Sequence, residues 1–368
     1  MKLFRLLLLL LSTVLFLVGC AGVAREERPR YVWPPDAETA RIEYLGFYAS
    51  EANLKGALFT TLSEVVLGIE PAKPLFVHPF AVDAWQDRIL VTDTSTRNIY
   101  LLDLNRRKLG HFLLTNQQNL SFGIPLGVAI VDDNRFVVAE AQTGEIHQFS
   151  FGGEKLATSG KEEIQRPSAV AVDRRHRRIV VVDTPAHRLV VFTDDGQFLS
   201  YVGERGSEPG QFNYPVDADF DSEGNLFVLD SMNFRVQRFN WDGTSYRYAS
   251  HFGETGSADG SFMRPKGLAV STSGHIYVTD ALGHKVVVFD RDGTFLLTFG
   301  RKFIATGGKF APGGLYMPAG IAADDQDGIW VVDSLNRMVH HFQYLNETYL
   351  RDHPLHSGAI APTVKAPE

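Results

Sequence analysis

One pattern is written six times along this chain, and that repetition limits what it can fold into. The clearest copy, "RPKGLAVSTSGHIYVTDALGHKVVVFDRDGTFLLTFG", begins at Arg264. Relatives begin at Arg166, Tyr214 and Met317, and weaker copies at His78 and Ile124. A proline anchors each copy (Pro79, Pro125, Pro167, Pro215, Pro265, Pro318), with spacings of 42 to 53 residues. A repeat of this length marks supersecondary units that bury their faces against one another. Each copy holds four short runs of β-branched and aromatic residues bounded by Gly, Asp and Asn, which are strand and turn signals. In the clearest copy, strand a covers 267–270, b 276–279, c 286–289 and d 295–299. Four antiparallel strands per repeat predict an all-β, six-bladed β-propeller of four-stranded blades, closed into one domain.

The conserved-looking core of the pattern is Pro-x-Gly-Leu-Ala-Val, then Gly-x-Ile-x-Val-x-Asp, then a base before strand c, then Asp-Gly-x-Phe. The linkers "GERGSEPGQFNYP" and "GETGSADGSFMRP" share a Gly-x-Phe-x-x-Pro ending. These motifs resemble the NHL repeat over roughly residues 75 to 345. The resemblance implies a six-bladed NHL propeller. Closing its ring requires an outer strand for the last blade. "RIEYLGFYAS" at 41–50 is expected to supply it, and "ETYLRD" near Glu347 is the alternative.

The N-terminus reads differently. Lys2 and Arg5 precede an apolar run from Leu6 to Val18, which matches an export signal. The run is shorter than the roughly 20 residues a spanning helix needs. Leu17-Val18-Gly19-Cys20 resembles the bacterial lipobox, and Cys20 is the only cysteine. The resemblance implies cleavage before Cys20, acylation of its thiol and stable membrane anchoring by several chains. Ala21 rather than Asp at the next position implies the outer membrane more than the inner. The expected organisation is a signal peptide at 1–19, a tether at 20–39, the propeller at 40–350 and a disordered tail at 351–368.

Strand b ends in an acid in every copy: Asp93, Glu140, Asp183, Asp230, Asp280 and Asp333. A base follows four or five residues later in five copies: Arg97, Arg188, Arg235, Lys285 and Arg337. Catalytic groups are normally set apart by distinct environments. A pair repeated once per blade is therefore read as a turn clasp. The acid accepts turn N–H groups, and the base pairs with a carboxylate.

Departures from the repeat are the candidate site. Asp217 and Asp219 stand where most copies have Gly or Ala, and Glu140 replaces Asp. Strand a lines a propeller's channel, so these acids are candidate channel or ligand residues, together with His78 on the loop face. A channel acid cluster suits a hard cation such as Ca²⁺. A Zn²⁺ site would have to be gathered from His78, His187 and His284 of different blades. No cofactor is otherwise expected. One cysteine excludes the Cys-x-x-Cys-His attachment of a c-type haem. The formal net charge of −7 gives no basic footprint for nucleic acid. The favoured reading is a non-enzymatic cell-envelope lipoprotein that presents its loop face to a protein or other ligand. The alternative is a metal-dependent propeller enzyme, of lactonase or lyase type, with its site at the central channel.

Overall fold

The computed structural model describes residues 29–55, 74–111, 123–305, 310–356 and 360. The signal segment and Cys20 lie outside the described residues. Six sheets of antiparallel strands stand around a central channel. In each, strand a begins at the anchoring proline. Blade 5 is Pro265–Val270, Ile276–Asp280, Lys285–Phe289 and Phe295–Phe299, paired in that order. The prolines open the innermost strand, where a missing N–H breaks no ladder bond.

Period-2 alternation sends each strand's two sets of side chains into different blade interfaces. In strand b of blade 5, Ile276 and Val278 join a cluster with Phe227 and Leu229 of blade 4. Tyr277 between them packs with Ile329 and Val331 of blade 6. The same division gives six clusters, each shared by two neighbouring blades. No blade has a core of its own, so the ring is one cooperative unit.

Hydroxyls stitch the inner edge. Thr184 Oγ1 donates to the Pro215 carbonyl of the next blade at 2.6 Å, and Ser334 Oγ to that of Pro79 at 2.6 Å. Ser231 Oγ does the same to Pro265 at 3.0 Å. Thr92 and Thr279 reach the carbonyls of Leu126 and Ala319, at 3.2 and 2.5 Å. Between blades 2 and 3, Ala139 and Ala141 stand at the equivalent positions and have no hydroxyl to donate, and the strands approach as closely as at the stitched interfaces. A Cβ on Gly127 would lie 2.7 Å from Ala169 Cα.

The ring closes with the N-terminal strand. Ile42–Tyr48 pairs antiparallel with Met338–Tyr344, as strand d of blade 6. Ile42 and Tyr44 are buried in the cluster between blades 5 and 6. The alternative closing segment, Glu347–Asp352, is a helix instead, with the Asn346 side chain accepting the Tyr349 N–H as its N-cap. Two expected boundaries shift. Part of the presumed tether, Tyr31–Trp33, forms a fifth strand outside Ile42–Tyr48. Trp33 packs on Phe299 and Phe342, an apolar contact that an extended spacer would forgo. Order also continues past 350, where Leu350, Leu355 and Ile360 pack with Val32.

Ile42 has no exposed surface, whereas Leu45 on the same strand is 42% exposed. Ile42→Ala is expected to cost about 2–5 kcal/mol in urea unfolding. Leu45→Ala should stay within about 0.5 kcal/mol. Equal costs would mean that this strand does not close the ring.

Candidate functional site

The b–c turns and the d–a loops share one face, here called the top. The six strand-b acids hold it together. Asp280 accepts N–H bonds from Met263 and Arg264 of the incoming loop, each at 2.8 Å, and from Gly283 of its own turn. Asp93 takes four such bonds, from Val77, His78, Ser95 and Thr96. Glu140 does the same for Ile124, Gln142 and Thr143. It therefore belongs to the clasps and not to the channel, and its longer side chain serves the same purpose as Asp elsewhere. N–H donors outweigh burial and hold its carboxyl below the usual range.

The bases divide. Arg188 and Arg235 pair with Asp183 and Asp230 at 3.3 and 2.9 Å. Arg97 and Arg337 sit one residue earlier in the turn, at the position that Gly144, His187, Phe234 and His284 occupy in other blades. All six adopt the left-handed conformation, with φ between 53° and 72°. "Four or five residues later" thus merged two different turn positions. Lys285 is at the pairing position but forms no ion pair with Asp280 among the described residues. The acid is the clasp, and the base is an accessory in two blades.

The candidate histidines do not converge. His187 Nδ1 accepts the N–H of Tyr214, and His284 Nδ1 that of Met317, both at 3.1 Å. Each thereby fixes the residue before the next blade's proline. His78 contacts Thr94. Among the described residues no three His, Cys, Asp or Glu side chains stand close enough to share a metal ion.

The channel wall is built by columns of the repeat. Positions two and four past each proline carry Gly or Ala, except Asp83, Asp217 and Asp219. These three acids point toward the next blade. Asp217 accepts the N–H of Leu268 and Asp219 that of Val270, both at 2.8 Å. Their other oxygens take Ala218 and Phe220 N–H groups. Asp83 accepts from Ile130 at 2.6 Å. The surface these acids expose faces a narrow channel of ≈ 60 Å³ and not bulk water. Desolvation there pushes Asp217 up to about 8 and Asp219 to about 7, against their N–H bonds, and like charge adds to the effect. Asp83 is raised for the same reason, with Arg174 opposing.

Each end of the channel opens into a mouth. The bottom one (≈ 280 Å³) is acidic, with Asp221, Asp324 and Asp325 facing Arg174 and Arg175. The top one (≈ 300 Å³) is mostly apolar. Its ring is the residue after each anchoring proline: Phe80, Leu126, Ser168, Val216, Lys266 and Ala319. Sequence reasoning passed over this column. Its signal was present, since one lysine among five uncharged residues breaks the repeat as clearly as Asp217 does.

A carboxyl with a raised folded pKa binds its proton more tightly folded than unfolded. Asp217 therefore makes stability fall as pH rises from about 4 to about 8, by at most about 1.4 kcal/mol per pH unit. Asp217→Asn loses an N–H acceptor at every pH but removes this slope. Urea unfolding from pH 5 to 8 should fall less steeply for the variant than for wild type. Parallel curves would mean that Asp217 is ionised throughout.

Known proteins agree with this architecture. A family described as 6-bladed beta-propeller matches residues 140–253, and the NHL repeat matches residues 262–289. Protein brain tumor of Drosophila melanogaster is 29% identical over 142 residues, covering 37% of this chain and only 13% of that protein. An auxiliary nutrient binding protein of Bacteroides thetaiotaomicron superposes with a TM-score of 0.55 at 10% identity, over 74% of this chain and 70% of that one. Streptogramin B lyase superposes at 0.52 and 12% identity, over 73% and 94%. At such identities the two structures show the fold alone. With six closed blades, the chain is a six-bladed β-propeller, one stretch of which, residues 262–289, matches the NHL repeat.

Proposed function

We propose that this propeller is a non-enzymatic binding platform of the bacterial cell envelope, anchored to a membrane through acylated Cys20, with its partner on the top face. The observation that carries this reading is an arc of exposed apolar side chains at equivalent positions. Met232, Leu282 and Leu335 stand two residues past the clasp acid in blades 4, 5 and 6. Met263 and Val77 stand two residues before the proline in blades 5 and 1. All five are 45–55% exposed. Blades 2 and 3 carry Gln142 and Pro185, Gly123 and Gln165 at these positions. Turn residues held rigidly by clasps gain nothing for the fold by being Met or Leu. Exposed apolar side chains on loops held by a rigid scaffold are characteristic of interaction sites.

The channel supports the same reading. Asp217 and Asp219 commit both oxygens to backbone N–H groups, and the histidines are tied to the loops. The likeness to an auxiliary nutrient binding protein and to a lyase is one of fold, and it favours neither role by itself.

A photo-crosslinking residue placed at Leu282 in the native bacterium should yield a discrete protein adduct. One at Leu199, on the exposed outer strand of blade 3, should not. Met232→Asp with Leu335→Asp should abolish the Leu282 adduct, and Cys20→Ser should move the protein from the membrane to the soluble fraction. Identical adducts from both positions, or none from Leu282, would contradict the platform.

A further inference from the structure

We infer that the top mouth of the channel binds a short acyl carboxylate, with the Lys266 ammonium facing the carboxylate and the apolar ring enclosing the chain. This deepens the reading of the top face as a binding surface and rests on it. Lys266 is the only charged member of the ring formed by the residue after each proline. It is half-buried, and it makes no hydrogen bond or ion pair among the described residues. Desolvation, with Arg264 nearby, holds its pKa below the usual lysine value. A cation that is desolvated and unpaired is stabilised by an anion that enters with the ligand.

The rest of the mouth selects the body of that ligand. Phe80, Leu126, Pro167, Pro185 and Val216 supply aliphatic and aromatic surface. Two of the three side-chain hydroxyls in the wall, those of Thr184 and Ser168, are already engaged, leaving that of Tyr214. Thr184 donates to the Pro215 carbonyl, and Ser168 donates to that of Val216. One hydroxyl and two cations are few partners for the many amides of a peptide or hydroxyls of a sugar, and the cations favour an anionic group. The carboxyl of Asp217 at the floor is occupied by two N–H donors, and its raised pKa limits repulsion of an anion. Arg166 on the wall adds a second positive charge. At ≈ 300 Å³ the cavity is at the small end of ligand pockets.

The test is calorimetric titration of the chain from Ala21 onward, which keeps every described residue, with octanoate, octanol and acetate. Octanoate should bind saturably at one site, and both octanol and acetate at least tenfold more weakly. Lys266→Met, which keeps the apolar stem, should bring octanoate down to the affinity of octanol. Octanol binding as tightly as octanoate would overturn the inference, as would the absence of a saturable octanoate site. Unchanged octanoate binding by a folded Lys266→Met would also overturn it. The octanoate–octanol comparison on the unaltered protein decides the matter even if the variant does not fold. Failure here with the Leu282 adduct retained would reject the ligand class alone. Octanoate binding without any top-face adduct would reject the protein platform alone.

Discussion

Everything on the top face depends on a carboxylate at the end of strand b that accepts N–H bonds from the loop entering its own blade. That loop arrives from the preceding blade with no sheet to pair with, and its N–H groups would otherwise be left unsatisfied near the protein interior. Such groups cost about 1–3 kcal/mol each. Asp93, Asp183, Asp230, Asp280 and Asp333 have no exposed surface, and Glu140 almost none. A buried charge is tolerated only where hydrogen bonds surround it, and three or four per acid do so. Each clasp sets where its proline begins strand a. Strand a in turn sets the ring of residues around the mouth and the acids in the channel.

This arrangement explains why the same residue type, acid, has two meanings in one chain. At the end of strand b it is architecture, repeated six times. At the two channel-lining positions of strand a, two and four past the proline, it is a departure, confined to Asp83, Asp217 and Asp219. There it bridges two blades where other interfaces rely on Gly and Ala. The channel acids sit in a narrow space, and desolvation there raises their pKa values. The top mouth above them is left with a positive charge on Lys266 and apolar walls. The ring around the top mouth and the carboxylate bridges between blades thus come from different columns of the repeat.

Much of this was legible in the residues. The sixfold pattern gave the blades, the prolines gave the start of each inner strand, and the spare strand at 41–50 gave the closure. The recurrence of the acid was enough to read it as a clasp. What was not legible depended on alignment within turns and on distances between blades. Arg97 and Arg337 look like Arg188 and Arg235 until φ shows them one position earlier in the turn. Glu140 looks exceptional until its carboxylate is seen to span the same N–H groups. The hydroxyl stitches of Thr184, Ser231 and Ser334 act between residues about 30 or more positions apart, or across the closure, and no local pattern announces them. Trp33 joins the fold through contacts with Phe299 and Phe342, more than 260 positions away. Lys266 was missed because attention went to acids and histidines and not to the one cation in an apolar column.

Native-state hydrogen exchange at the Met263 and Arg264 amides, with Asp280→Ala and Lys285→Met beside wild type, tests the central claim most directly. The clasp account predicts slow exchange of both amides in wild type and in Lys285→Met. It predicts fast exchange in Asp280→Ala, while the Val278 and Val287 amides in the sheet stay protected. Fast exchange in wild type, or release of the loop amides by Lys285→Met as much as by Asp280→Ala, would contradict it.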